Sequence, residues 1–383
     1  MALLKGFEVE MYTGTPNGDV VGLSDKIVTS LDGFVREPDS RNVEYTTAPS
    51  SSYSQLLCSL LRPRQQLRSY LNQLGNYTII PGSTLSLGGN NQFFRSDPNN
   101  AYHDFIEKTY GTKVVTASIH INVGISDVEI LMRACRLIRV EAPLYLALSA
   151  ASPFLDGEAT GYHSTRWGVF PQTPARVPLF TSHAHHIQWV SEQLAAGTMQ
   201  NVRHLWSSVR PNGDRRPYDL NRLELRICDL VTDPIALLSI TALLEARLLQ
   251  LIESNLDPLV SSQFTPDELI DITLANEVAA ATSSLDAKLQ HWQDGRTITA
   301  RDWIAELYDG AFLTAKQHGF SCFLSPLQKI LRSGNEAQQW LQLHTVGVST
   351  RSCLTQAIAV VRDREIELEN KICSSVGATG ADK

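Results

Sequence analysis

Four short segments of the chain alternate strictly between apolar and polar residues. Successive side chains of a β-strand point to opposite faces, so each segment predicts a strand with one face on a core and one polar face. In the first segment Phe7, Val9 and Met11 would share the core face, while Glu8 and Glu10 would share the other. The alternation therefore predicts an antiparallel sheet that is covered on one side. The segments are "KGFEVEMY" (5–12), "VEYTTAP" (43–49), "KVVTASIHINVGI" (113–125) and "RLELRIC" (222–228).

The polar faces of these segments carry a distinctive set of side chains. An exposed strand face usually mixes Thr, Ser, Lys and Gln, and a single pair of glutamates most often indicates only solvation. Here hard oxygen ligands dominate, with one imidazole and one guanidinium, which suits Mg²⁺ or Mn²⁺. Carboxylates that hold such ions commonly organise nucleotide phosphates, so the sequence predicts a metal and nucleotide site on this face. The residues are Glu8, Glu10, Glu44, His120, Asn122, Glu224 and Arg226.

Helical patterns follow the strands and then dominate the second half. Residues 53–75 predict an amphipathic helix ended by Gly75, and Ser126 with Glu129 predicts a capping box at the start of another. We expect one catalytic domain over residues 1–373, with the strands at about 5–230 and helices at about 233–371. Residues 374–383 predict a disordered tail. Three later helix starts are predicted at Asp233, Thr265 and Thr299.

Charge and composition exclude several classes of function. The net charge is −7 and no basic cluster is present, so nucleic acid is not an expected partner. The first ten residues lack the apolar run of a signal peptide, and charged residues interrupt the most apolar helical segment (233–254), so we expect a cytoplasmic protein without a membrane span. The six cysteines are scattered without a CxxC pair or zinc spacing, and we expect them to be reduced.

A long segment over residues 152–221 is rich in proline, glycine and aromatic residues. Loops of this length in a compact domain are usually functional or disordered, and the aromatic content argues against disorder. We expect the segment to wall a substrate site. Its candidate anion-binding residues are Arg166, Arg210, Arg215 and Arg216.

The order of the motifs resembles the glutamate-cysteine ligase family of the carboxylate-amine ligase type, in its cyanobacterial and plant-related branch. That family belongs to the glutamine synthetase-like superfamily. The resemblance implies an α+β fold with a curved, mainly antiparallel sheet, helices packed on one face and the active site on the other. The motifs that carry it are "GFEVEMY", "EYTTAP", "SIHINVG", "ALSAASPFLDGEATGYHSTRWG" and "SVRPNGDRRPYDLNRLELRICD".

The resemblance also implies a reaction. ATP would phosphorylate the γ-carboxylate of L-glutamate, and the α-amine of L-cysteine would then displace phosphate to give γ-glutamylcysteine, the first step of glutathione biosynthesis. The required cofactor would be Mg²⁺, with Mn²⁺ as a substitute.

The same resemblance implies roles for individual residues. Glu8, His120 and Glu224 would hold the metal that bridges the transferring phosphate, and Glu10 and Glu44 a second metal. Arg226 and Arg166 would be the catalytic residues, Arg226 by neutralising the phosphoryl group. Substrate and ATP would be bound by Arg166, Arg210, Asn122 and Arg226.

Three alternatives stay open at this point. The amine could be one other than cysteine, because the metal and ATP face does not define the amine pocket. A guanidino kinase of the same superfamily fits the order of segments poorly. A catalytically inactive module that binds a nucleotide or amino acid is disfavoured by the intact ligand set. The residues that bind cysteine, the oligomeric state (monomer or homodimer) and any redox control are left open as well.

Overall fold

The computed structural model describes residues 2–254 and 256–373, which form an α+β fold around a seven-stranded sheet. Every pairing within this sheet is antiparallel. Two small hairpins lie outside it. The strands in chain order are β1 (Lys5–Gly14), β2 (Phe34–Arg36), β3 (Asn42–Thr46), β4 (Thr78–Ile80), β5 (Ile119–Gly124), β6 (Phe154–Leu155), β7 (Glu158–Ala159), β8 (Val209–Asn212), β9 (Arg222–Leu225), β10 (Lys288–Gln290) and β11 (Thr297–Thr299).

The strand order is β2-β3-β1-β5-β9-β8, with β4 paired to the far end of β1. All four alternating segments therefore belong to one sheet, as the sequence predicts. The third is shorter than its pattern suggests, because strand β5 begins only at Ile119 and Gly111–Val114 form a 3₁₀ turn. The N–H of Ala117 donates to the carbonyl of Ser83 instead of joining a strand ladder.

Fourteen helices are described, most of them in the second half of the chain. A π-helical turn (Glu369–Cys373) follows the last one. The helices are α1 (Ser24–Ser30), α2 (Tyr53–Leu74), α3 (Ala101–Tyr110), α4 (Val128–Ser149), α5 (Thr165–Val169), α6 (His183–Ala195), α7 (Pro234–Ser254), α8 (Pro258–Ser261), α9 (Pro266–Ser283), α10 (Ala300–Gln317), α11 (Ser321–Leu324), α12 (Leu327–Ser333), α13 (Glu336–Thr345) and α14 (Thr350–Leu368).

The helix starts follow local capping chemistry. Thr265 forms the predicted capping box, Thr299 caps α10, and the Asp233 carboxylate accepts from the N–H of Ile235. The prediction of Ser126 as the cap of α4 is wrong. Asp127 caps this helix, because its carboxylate accepts from two N–H groups of the first turn at 2.9 Å.

The apolar face of the sheet packs against helices. Phe7, Val9 and Met11 of β1 are buried in the main core together with residues of α2, α4 and α7. Among the described residues, α7 alone is long and apolar enough to cross a membrane by length and composition, and 78% of its most apolar window is buried. It packs against α4, α10 and α11, as a core helix does. The helices thus cover one face of the sheet and leave the other for the polar side chains.

Two cysteines contradict the expectation of reduced thiols. Cys58 on α2 and Cys373 in the π-helical turn form a disulfide, although 315 positions separate them in the sequence. That separation hides the pair from any spacing argument, because only the packing of the π-helical turn (Glu369–Cys373) against α2 brings them together. Of the other four cysteines, Cys322 is exposed and the rest are buried. The proposed extent of the catalytic domain stays a prediction, and the predicted tail (374–383) lies outside the described residues.

Candidate active site

The face of the sheet opposite the helices carries a row of polar residues that are cross-strand neighbours. Glu10 of β1 faces Glu44 of β3, and Glu8 of β1 faces His120 of β5. Asn122 of β5 faces Glu224 of β9, and Arg210 of β8 faces Glu224 from the other side. Paired residues on neighbouring strands point to the same side, so the register alone brings these groups together. The structure thus brings the seven predicted residues together on one face: Glu8, Glu10, Glu44, His120, Asn122, Glu224 and Arg226.

One group of candidate metal ligands is Glu8, His120 and Glu224, whose ligand atoms all lie within 4.8 Å of one another. His120 Nδ1 lies 2.9 Å from Glu8 Oε2 and 3.5 Å from Glu224 Oε1. The amide of Asn122 donates to Glu8 Oε1 at 3.1 Å. This arrangement presents two carboxylates and one imidazole to a common point.

A second group consists of Glu10, Glu37 and Glu44, again with ligand atoms within 4.8 Å of one another. The hydroxyl of Ser118 donates to Glu10 Oε2 at 2.7 Å and lies 3.1 Å from His120 Nε2, so it links the two groups. Glu37 is a residue that the sequence reasoning missed. It directly follows β2, a three-residue strand whose pattern is too short to show alternation, and pairing of β2 with β3 brings it beside Glu44.

The carboxyl groups of the two sets differ in their electrostatic surroundings. Burial and the charges of Glu10 and Glu8 raise the pKa of Glu44 to about 8. Burial, the charges of Glu10 and Glu44, and a hydrogen bond with Glu44 raise the pKa of Glu37 well above its usual value. Clustered carboxylates in a buried setting repel one another, and a divalent cation between them would remove that repulsion. The donor chemistry of both sets therefore fits a hard divalent cation.

Glu224 is fully buried and is held by three polar side chains. Arg210 donates from Nε and Nη2 at 2.7 and 3.0 Å, Asn212 donates at 2.6 Å, and Arg226 donates from Nη1 at 2.5 Å. Burial raises the pKa of Glu224, but the charges of Arg210, Arg226 and His120 outweigh it and hold that pKa well below its usual range. The carboxylate is thus kept ionised at neutral pH.

The side chains of Arg210 and Arg166 make more hydrogen bonds within the protein than their predicted substrate-binding roles imply. Besides Glu224, Arg210 bonds from Nη1 to the carbonyls of Arg203 and Leu205, both at 3.0 Å. Arg166 lies on α5, where its Nε donates to Asp229 at 2.9 Å and its Nη2 donates to three carbonyls over residues 226–228. Both side chains line the cavity, and Arg166 also fixes the backbone that follows Arg226.

A cavity of about 970 Å³ lies over the carboxylate row. Its opposite wall comes from the long segment predicted to wall the site, with α3 beside it. Arg215 and Arg216 do not line it: Arg215 is exposed and pairs with Asp219, and Arg216 is half-buried nearby. The lining residues from the segment and from α3 include Tyr102, Arg166, Trp167, Phe170, Arg203 and Trp206.

The sequence profile of Glutamate-cysteine ligase family 2 (GCS2) matches residues 4–354, which include the whole carboxylate row. The chain belongs to glutamate-cysteine ligase family 2. Family membership agrees with the order of motifs along the chain and with the antiparallel sheet and its helices.

Bacterial relatives in this family are named provisionally as glutamate–cysteine ligase 2. The protein of Sorangium cellulosum is 30% identical over 231 residues, which is 59% of this chain and 58% of that relative. That of Rubrobacter xylanophilus is 26% identical over 73% of both chains. That of Gloeobacter violaceus is 24% identical over 95% of this chain and 96% of the relative. The chain thus matches somewhat more than half of the first relative's length and nearly all of the third's.

Two solved structures share the fold of this family member at low sequence identity. A glutamate–cysteine ligase from Francisella tularensis, crystallised in complex with AMP, superposes with a TM-score of 0.73 at 14% identity, over 100% of this chain and 95% of that chain. A bifunctional glutathione synthetase from Pasteurella multocida superposes with a TM-score of 0.74 at 15% identity, over 97% of this chain and 53% of that one. At this identity the likeness establishes the fold.

Proposed function

We propose that the protein is an ATP-dependent carboxylate–amine ligase that joins the γ-carboxylate of L-glutamate to the α-amine of L-cysteine. The observation that carries the proposal is the row of carboxylates, closed at one end by Arg226, on the open face of the sheet in a chain of this family. A Francisella ligase of the same fold binds AMP, which supports the use of ATP here. The divalent ion would be Mg²⁺ or Mn²⁺. The protein would act in the cytoplasm.

The reaction needs an activated carboxylate. An oxygen of the γ-carboxylate attacks the γ-phosphorus of ATP, and the bond to the ADP oxygen breaks. The amine nitrogen then attacks the carbonyl carbon of the acyl phosphate, and phosphate leaves with the electron pair of the broken bond. The amine loses one proton, so the products are ADP, phosphate and the amide. Free carboxylate cannot undergo the second step near neutral pH, because its leaving group would be hydroxide.

The residues on the face divide this task. Glu8, His120 and Glu224 would hold one cation, and Glu10, Glu37 and Glu44 a second. Cations bound there supply neutralisation of phosphate charge and orientation of the reacting oxygens. Arg226 would contact the transferring phosphoryl group, because its guanidinium lines the cavity beside Glu224. Asn122 would orient Glu8, while Arg210 and Arg166 would fix Glu224 and the backbone after Arg226.

Isotope scrambling tests this proposal directly. ATP labelled in the β,γ-bridging oxygen should lose that positional label when glutamate is present without an amine, because reversal of the first step lets the β-phosphate of ADP rotate. The label should stay in place without glutamate. Glu8→Gln, which neutralises one ligand, should show no scrambling and serves as the control.

The amine is then identified by competition. Adding cysteine should convert scrambling into net ADP release faster than adding alanine or ammonia. If another amine is faster, the ligase proposal stands and the named product is wrong. Absence of glutamate-dependent scrambling in the wild type would favour an inactive binding module.

A further inference from the structure

Ser118 lies between the two groups of candidate metal ligands. Its hydroxyl donates to Glu10 Oε2 at 2.7 Å and lies 3.1 Å from His120 Nε2. Glu10 belongs to one group and His120 to the other. Ser118 itself is 2% exposed and lines the cavity. One buried hydroxyl therefore contacts both ligand groups.

The backbone holds Ser118 in this place from two sides. Its carbonyl accepts from the N–H of Glu10 at 2.9 Å. On the other side it forms an antiparallel bridge with Asp229, beyond the end of β9. Ser118 directly precedes β5, so the sheet that places Glu10 and His120 also places the hydroxyl between them. The hydroxyl therefore needs no rearrangement to make both contacts.

A hydroxyl has a single proton to donate, and this decides the direction of the second hydrogen bond. The Ser118 proton points to the Glu10 carboxylate, which accepts hydrogen bonds and donates none when it is ionised. His120 Nε2 must then donate its own proton to the Ser118 oxygen. In the reverse arrangement the Ser118 proton would point to His120, and two oxygens would face each other at 2.7 Å without a hydrogen between them.

The opposite ring nitrogen of His120 faces the first ligand group. Nδ1 lies 2.9 Å from Glu8 Oε2, 3.5 Å from Glu224 Oε1 and 3.4 Å from Arg226 Nη1. With the proton on Nε2, the neutral imidazole has its lone pair on Nδ1, on the side of the Glu8 and Glu224 oxygens. Metal-binding histidines commonly donate their other ring N–H to an oxygen in this way.

We propose that Ser118 is a positioning residue that fixes His120 as an Nδ1 ligand for a divalent cation shared with Glu8 and Glu224. Glu10 acts through Ser118, because its carboxylate holds the hydroxyl proton and leaves the hydroxyl oxygen to accept from Nε2. The inference rests on the proposed function only in that a divalent cation occupies this face. The two ligand groups are thus directly connected, since a carboxylate of one group orients the imidazole of the other.

The test compares Ser118→Ala, which removes the hydroxyl, with Ser207→Ala as the matched control. Ser207 is also 2% exposed and lines the same cavity, but its hydroxyl donates to the carbonyl of Val209 at 2.7 Å. The electron paramagnetic resonance signal of free Mn²⁺ would measure binding without turnover, with and without ADP. We expect Ser118→Ala to weaken Mn²⁺ binding about 10- to 100-fold, as for other lost partners of metal ligands. Ser207→Ala should leave it unchanged.

The ring protonation of His120 can be measured in the wild type, so the inference stays testable even if Ser118→Ala fails to fold. The sample would contain ¹⁵N-labelled histidine and Mg²⁺, which is diamagnetic, and comparison with His120→Gln would assign the signals. Long-range ¹H–¹⁵N spectra separate protonated from unprotonated ring nitrogens. We expect a proton on Nε2 and none on Nδ1.

Two results would overturn the inference. One is a proton on Nδ1, or none on Nε2, in the wild type with Mg²⁺. The other is Mn²⁺ binding by folded Ser118→Ala that is no weaker than binding by Ser207→Ala. If Mn²⁺ binding and the Nε2 proton are as expected while the wild type fails to scramble labelled ATP, the positioning role stands and the ligase proposal does not.

Discussion

Arg210 and Glu224 face each other across β8 and β9 and share two hydrogen bonds, of 2.7 and 3.0 Å, in a buried position. Glu224 is at once a candidate metal ligand and the partner of a buried arginine. Mutation can separate the metal-binding role of Glu224 from its role as the partner of Arg210. Glu8 belongs to the same ligand group but has no buried arginine partner within the described ranges, so its replacement affects metal binding alone.

Glu224→Gln should lower the free energy of unfolding by about 3 to 5 kcal/mol, because it leaves the Arg210 charge buried and uncompensated. Glu8→Gln should change stability much less, since Glu8 is only half-buried. Both should lose metal-dependent ATP turnover. Denaturant unfolding of the two variants side by side measures the difference, and equal stability would contradict the assignment of Glu224 as the anchor of Arg210.

Arg226→Lys should lower kcat by about 10²- to 10³-fold, as for other lost donors to a developing charge. A guanidinium can contact two phosphoryl oxygens through a planar fork, whereas an ammonium acts as a point charge. Arg222→Lys, four positions earlier on the same strand segment and paired with Asp214, is the control. A change confined to KM would instead place Arg226 in ground-state binding.

Glu37→Gln should raise the Mg²⁺ concentration for half-maximal turnover by at least about tenfold. Even outer partners of metal ligands contribute that much to affinity, and Glu37 lies in direct reach of Glu10 and Glu44. The exposed Glu192 on α6 offers a control, Glu192→Gln, with the same change of charge. An unchanged Mg²⁺ requirement in Glu37→Gln would remove this residue from the ligand set.

Metal-free protein should lose stability as the pH rises from about 5 to 8. The folded-state pKa of Glu44 is about 8, above the ordinary value of 4.5, so the folded state holds this proton in a range where the unfolded state has released it. Stability is therefore greatest on the acid side of this window and falls as the pH approaches 8.

Thermal unfolding in EDTA at several pH values measures this slope, which Mg²⁺ should flatten or reverse by binding the ionised carboxylates. Glu44→Gln should flatten it as well. Burial also raises the pKa of Glu336, to about 7, but that group lies in another cavity. It therefore contributes equally to the pH dependence of stability in the wild type and in Glu44→Gln. A slope that neither Mg²⁺ nor Glu44→Gln alters would contradict the carboxylate cluster as its cause.

The disulfide predicts a thiol count. Of the six cysteines, four should react in denatured, unreduced protein and all six after reduction. Cys58→Ser removes one cysteine and frees Cys373, so all of its remaining thiols should react without reduction. Six reactive thiols in the unreduced wild type would show that the Cys58–Cys373 pair is not formed.

The sequence predicted those parts of the site that follow from alternation. Each long alternating strand fixes which side chains share a face, so Glu8, Glu10, His120 and Glu224 could be placed before their distances were known. Glu37 could not, because a three-residue strand has no measurable period and its position depends on pairing with β3.

Residues whose partners are distant in the chain were also beyond prediction. The resemblance implies that Arg166 is a catalytic residue that also binds substrate or ATP, but its Nε donates to Asp229, 63 positions away. Cys58 and Cys373 are still further apart. Such pairs depend on packing among whole elements, which a single sequence does not encode in any local pattern.

The first strand, β1, tolerates no insertion or deletion of a residue. Phe7, Val9 and Met11 enter the core while Glu8 and Glu10 enter the site, and Lys5 is locked at the strand's start by its buried bond to Glu245. Deleting one residue between Lys5 and Glu8 would exchange the two sets, placing carboxylates in the core and apolar groups among the ligands. In the gene, even an in-frame loss of three bases here would destroy folding and chemistry together, so insertions and deletions among functional relatives should be confined to the connections between strands.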